Sequence, residues 1–124
     1  MEIEDGHVFY LVSFQPELGW EERFNEWYNI HHLPELLRCP GFNAAWRFEA
    51  IEGSPRFVAL FDVDGMEAFE SPAYLALKNR TPEQFQAIAQ EVLPHCEAVF
   101  SAKYRQIVRQ HAPETTAQIP RVVL

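Results

Sequence analysis

The stretch from Glu21 to Phe48, EERFNEWYNIHHLPELLRCPGFNAAWRF, constrains the fold more than any other part of the chain. Trp20, Phe24, Trp27, Tyr28 and His31 recur at spacings of three and four, which a helix gathers onto one face. Glu21, Glu22, Arg23, Asn25, Glu26 and Asn29 fall mostly on the other side, where water solvates them. Pro34 disfavours helical geometry at Leu33, so the helix, expected from about Trp20 to about Leu37, bends or ends there. His32 is thereby placed at a helix end, where a side chain is both anchored and accessible. Pro40-Gly41 marks a turn into the next element.

The rest of the chain reads as alternating strands and helices. His7 to Phe14 is a strand with apolar residues on both faces: Phe9 and Leu11 on one, Val8, Tyr10, Val12 and Phe14 on the other. Phe42 to Glu52 alternates as a second strand, with Phe42, Ala44, Trp46 and Phe48 on one side and Asn43, Ala45, Arg47 and Glu49 on the other. Gly53-Ser54-Pro55 is a hairpin turn into a third strand, Arg56 to Val63. Asp64 is placed to cap a short helix through Phe69, and Ser71-Pro72 to start another through Leu77. Thr81-Pro82-Glu83-Gln84 opens a helix to about Leu93, with Phe85, Ile88, Ala89 and Val92 on one face. Ala98 to Val108 is the last strand.

This β-α-β-β-α-β order is the ferredoxin-like split arrangement, an α+β fold with an antiparallel sheet and helices on one face. Strands 1 and 3 are nevertheless apolar on both faces, so the bare face needs a cover. A second copy of the same sheet is the economical one, giving a homodimer. The domain is placed at residues 1–108. Residues 109–124, rich in Ala, Pro, Thr and Gln and ending Val122-Val123-Leu124, read as an extended tail able to wrap the partner.

Composition narrows the partners. Ten basic against eighteen acidic residues leave a net charge of −8, which argues against nucleic acid or an anionic membrane surface. No apolar run is long enough to cross a bilayer, and Met1-Glu2-Ile3-Glu4-Asp5 is the reverse of a basic signal-peptide start, so the cytoplasm is the expected compartment. Cys39 and Cys96 are far apart and match no metal-ligand spacing, and are expected as free structural thiols. No metal motif and no glycine-rich nucleotide loop is evident, so neither metal nor cofactor is expected.

Phe24-Asn25, Trp27-Tyr28, His32, Pro34, Pro40-Gly41-Phe42 and Arg47 together resemble the signature of EthD-like members of the dimeric α+β barrel superfamily. Ser71-Pro72-Ala73-Tyr74 and Tyr104-Arg105 extend the likeness, which spans about residues 7 to 108. Position 31 departs from that pattern, carrying His31 where an acidic residue is more common. The resemblance implies the paired-sheet dimer and a pocket for a small hydrophobic or aromatic metabolite. It does not choose among cyclases, isomerases, decarboxylases, oxygenases without cofactor and haem enzymes.

Within that frame His32 is the first candidate for chemistry, because imidazole moves protons near neutrality; the alternative is a histidine that ties the helix end to the sheet. Arg47 is the candidate anion stabiliser. If Trp46 packs under the helices, Arg47 enters the dimer barrel, with Glu49 as its ion-pair partner. Tyr28 is the candidate positioning donor, and His7, His31, Trp46, Glu49 and Tyr104 are candidate substrate contacts. His95, after Pro94, reads as a helix-end residue; as a haem ligand it has no support from its surroundings in sequence. The expected function is a small cofactor-independent cyclase, isomerase or decarboxylase. The alternatives are a non-catalytic metabolite binder or accessory to an oxidoreductase and, third, a haem protein.

Overall fold

The structure, a computed structural model, describes residues 7–113. Four antiparallel strands form one sheet in the order β2-β3-β1-β4: β1 (Val8–Pro16), β2 (Phe42–Glu49), β3 (Phe57–Val63) and β4 (Cys96–Arg105). One face carries the helices α1 (Glu21–Trp27), α2 (Leu33–Leu37), α3 (Pro72–Lys78) and α4 (Ala87–Val92). This is the ferredoxin-like α+β arrangement. The end of the tail, including Val122-Val123-Leu124, lies outside the described residues.

α1 and α2 form one continuous rod because a π-helical turn, Tyr28–His32, joins them. There the Leu33 N–H donates to the Tyr28 carbonyl, one residue further back than in an α-helix. Pro34 supplies the reason. It has no N–H to offer the carbonyl of Ile30, and its ring would press on that carbonyl in a regular turn. Widening the turn by one residue relieves both problems without breaking the rod. The expected bend is thus absorbed by a π turn on the N-terminal side of the proline.

The rod packs by its aromatic face. Phe24 and Tyr28 are fully buried and Trp27 nearly so, against Phe57, Ala59, Phe61 and Val63 of β3. Each such ring removed from water contributes about 1.5–3 kcal/mol.

β2 corrects a sequence expectation. Its pairing with β3 shifts register between Phe42 and Ala44, a bulge at Asn43, whose amide donates to Asp64 Oδ1 at 2.8 Å. Phe42 faces the helices opposite Val63, but after the bulge Ala45, Arg47 and Glu49 take that face, opposite Phe61, Ala59 and Phe57. Trp46 and Phe48 move to the open face opposite Leu60 and Val58. Arg47 therefore lies under the helices and not in a dimer barrel, because one extra residue exchanges the two faces.

Two capping expectations are also revised. Asp64 does not cap the turn Met66–Glu70, since its carboxylate is taken by Asn43. The helix expected from Thr81 is a short 3-10 turn, Pro82–Gln84, followed by extended Phe85 and Gln86 before α4. Ser71 caps α3 as expected, its Oγ accepting from the Tyr74 N–H at 3.1 Å.

Gly41 locks the turn between α2 and β2. Its φ is +87°, and a Cβ there would stand 2.8 Å from the Ala68 Cβ, whereas one at Gly53 (φ +88°) meets nothing within 4 Å. Gly41→Ala is expected to cost about 2–4 kcal/mol, combining the left-handed penalty with overpacking, and Gly53→Ala only about 1–2. Urea unfolding of the two variants with unchanged m-values checks the difference; equal costs would remove the role given to the Ala68 contact.

Candidate functional site

A cavity of about 340 Å³ lies between the sheet and the helical layer. Tyr10, Val12 and Phe14 of β1, Phe61 of β3 and Phe100 and Ser101 of β4 form its sheet side. The π turn supplies Tyr28 and His32, and α3 with the loop after it supplies Tyr74, Lys78 and Arg80.

The π turn sets His32 in place. Its ring stacks on Trp27 with centroids 4.8 Å apart and meets Tyr28 edge to face, also at 4.8 Å. Nδ1 is buried and has no hydrogen-bond partner among the described residues. Burial lowers its pKa to about 4, with Arg80 and Arg47 acting in the same direction and Glu35 against it. The imidazole is therefore neutral at pH 7.

A polar chain buttresses this ring. Trp27 Nε1 donates to Gln86 Oε1 at 3.4 Å, Gln86 Nε2 donates to Glu35 Oε1 at 2.6 Å, and Arg80 Nη1 donates to Glu35 Oε2. Glu35 and Arg80 are both almost buried. Arg80 also lies over the Phe85 ring, 3.9 Å from its centroid.

Tyr28 and Arg47 form a second unit. The Arg47 guanidinium sits 4.4 Å from the Tyr28 ring centroid and donates from Nη1 to Asn29 Oδ1 at 3.1 Å, while its Nε and Nη2 are buried without acceptors. Glu49 is not its partner: it pairs with Arg56 Nη2 at 2.5 Å. The Tyr28 hydroxyl is likewise buried and unbonded. Burial drives the phenol well above its usual pKa, and Arg47 opposes the shift from behind the ring, so Tyr28 stays a protonated donor. Arg47 itself is absent from the cavity wall and acts on it through Tyr28.

The other sequence candidates lie elsewhere. His7, stacked on Phe9, pairs with Asp62. Trp46 and Tyr104 stand half-exposed on the open sheet face, and none of His7, His31, Trp46, Glu49 or Tyr104 lines the cavity. The pocket forms beneath the helices, whereas His7, Trp46 and Tyr104 lie on the open side of the sheet. His95 is stacked on Trp20 at 3.9 Å and paired with Glu17 at 2.5 Å. Burial pushes the Cys96 thiol up to about 11 and raises Cys39 as well, so both remain thiols. Among the described residues, no group of three or more His, Cys, Asp or Glu is arranged to hold a metal, and no helix is long and apolar enough to cross a membrane.

Sequence reasoning missed Glu35, Lys78, Tyr74, Arg80 and Gln86. Glu35 carried a local signal, lying three residues beyond His32 on the same rod. Arg80 and Gln86 carried none: Arg80 falls between two expected helices, and Gln86 lies in the helix expected from Thr81 to about Leu93, with no pattern to mark it out.

No family model matches this chain, and no curated protein matches it. Solved structures do. A candidate antibiotic biosynthesis monooxygenase from Bordetella bronchiseptica is 15% identical with a TM-score of 0.64, covering 84% of this chain and 100% of its own. An EthD family protein from Bacillus halodurans is 15% identical with a TM-score of 0.54, covering 82% and 98%. SnoaB of Streptomyces nogalater, a cofactor-independent oxygenase, is 17% identical with a TM-score of 0.55, covering 88% and 99%. The likeness is one of fold: these structures share the ferredoxin-like α+β arrangement of this chain.

His32 offers a direct check. Its folded pKa of about 4 lies below the ordinary 6.5, so the unfolded chain binds the proton more readily. Its contribution to stability is complete above pH 6.5 and is lost as pH falls towards 4. His32→Gln is expected to flatten the stability profile across that window, measured by denaturant unfolding at each pH. An imidazole that titrates near 6.5 by NMR would contradict the buried, unbonded setting.

Proposed function

We propose that the chain is a small enzyme without a cofactor, acting by proton transfer on an aromatic, polyketide-like or lactone metabolite. One observation carries the reading. A neutral imidazole with a free Nδ1 and a protonated phenol with a free hydroxyl adjoin each other in the wall of an aromatic cavity. A base and a donor so paired suit enolisation. His32 would take a proton from the carbon beside a carbonyl, while Tyr28 donates to the oxygen on which charge develops. Arg47, behind the Tyr28 ring, makes that phenol the better donor without touching substrate. Cyclisation, isomerisation of a lactone and decarboxylation all proceed through such an enolate. The fold shared with a cofactor-independent oxygenase is in keeping with chemistry run by side chains alone.

A second reading, a metabolite binder, draws on the low pKa of His32, which makes it a weak base. Deuterium incorporation separates the two. In D2O, 2-tetralone and 3-isochromanone are enolisable aromatic probes, and the protein is expected to speed exchange at their acidic carbon. His32→Gln should lower that rate by about 10²-fold or more. Equal rates in the two proteins, with both folded, would overturn the enzyme reading in favour of the binder.

We also infer that two copies pair through the open sheet face. Trp46, Phe48 and Tyr104 are each about half-exposed there, beside Leu11, Val58 and Leu60 in register. An apolar face of that kind is covered in solution. Light scattering is expected to give the mass of a dimer, and Trp46→Glu that of a monomer. A wild-type monomer would refute the pairing.

A further inference from the structure

Arg80 is a charged group of the cavity that proton transfer leaves unused. It stands in the loop after α3, its side chain 9% exposed. Glu35 takes Nη1 and the Phe85 ring supports the face of the guanidinium, so the group is held on two sides. Nε remains, buried and without an acceptor. In a planar guanidinium the Nε–H and one Nη2 N–H run parallel along a single edge, the edge that grips a carboxylate with two hydrogen bonds. Glu35 is engaged at the opposite end and by Gln86, so it does not compete for this edge.

The charge of the cavity points the same way. Lys78 and Arg80 line it and Arg47 lies behind Tyr28, and among the described residues the carboxylate set against them is that of Glu35, bonded to Arg80. In a chain of net charge −8 this is a local excess of positive charge. The remaining wall is mostly aromatic, with Phe14, Tyr28, Phe61 and Phe100 among its rings. Such a wall suits flat, apolar rings, and a guanidinium edge whose Nε lacks an acceptor suits one monoanionic carboxylate better than a dianionic phosphate.

We propose that Arg80 determines specificity in this cavity, its Nε–Nη2 edge taking the carboxylate of a planar aromatic acid whose rings lie among the aromatic side chains. Lys78 adds attraction at the same wall. The assignment rests on the cavity being the binding site and is separate from whether His32 performs chemistry there.

Titration calorimetry of the full chain with 2-naphthoate and with its neutral isostere 2-naphthamide tests it. The acid is expected to bind at least ten-fold more tightly than the amide. Arg80→Lys keeps a cation beside Glu35 but lacks the two-donor edge, and should lose most of that preference. The double variant Glu35→Gln with Arg80→Met removes both partners of the buried pair and should lose all of it. Equal binding of acid and amide, or a preference that survives in both variants, overturns the proposal. So does failure of both probes to bind; if His32-dependent exchange persists in that case, the acid/base reading stands without it. A ten-fold acid preference with no exchange on any probe supports the carboxylate site and removes the enzyme reading.

Discussion

Everything at the site depends on the contact between the aromatic face of the α1–α2 rod and β3. Phe24, Trp27 and Tyr28 are the rings that hold the rod to Phe57, Phe61 and their neighbours. The same rings fix the functional groups: Trp27 stacks under His32, and Tyr28 stands between His32 and Arg47. Packing and chemistry are therefore not separable in this chain. A change that loosens the rod moves the imidazole, the phenol and the cation behind it together.

The π turn and the bulge are two local irregularities with one joint consequence. The first adds a residue to a helical turn to accommodate Pro34, and the second adds one to β2 at Asn43. Each re-aims the side chains beyond it. The helix presents Tyr28 and His32 to the cavity, and the strand brings Arg47 up beneath the Tyr28 ring. With neither strand slipped nor turn widened, the imidazole and the arginine would sit on opposite sides of the sheet. Such irregularities recur beside functional sites because regular elements cannot point two side chains at one place.

Burial then tunes the groups. Desolvation holds His32 neutral and Tyr28 protonated, and the Glu35–Arg80 pair supplies a fixed dipole at one wall. Glu35 raises the imidazole pKa while Arg80 lowers it. The two effects on His32 are therefore opposed, and Nε of Arg80 is left without an acceptor.

Most of the architecture was legible in the sequence, because strand alternation, proline-led helix starts and the aromatic spacing of the rod are local patterns with local causes. The two-sided strands announced the open face, and the motif around Trp27, Tyr28 and His32 announced the fold. The side of the sheet on which Arg47 lies was not legible: it turns on one bulged residue, and alternation alone cannot reveal a bulge. Nor was the Arg80–Glu35–Gln86 chain, whose members lie 45 and 51 residues from Glu35 and meet only when the loop after α3 folds over the rod. Sequence by itself determined the elements and their order, since hydrophobic period and turn chemistry act between near neighbours. Tertiary structure alone decided which polar groups share the cavity, since their charge states and partners arise from burial between elements distant in the chain.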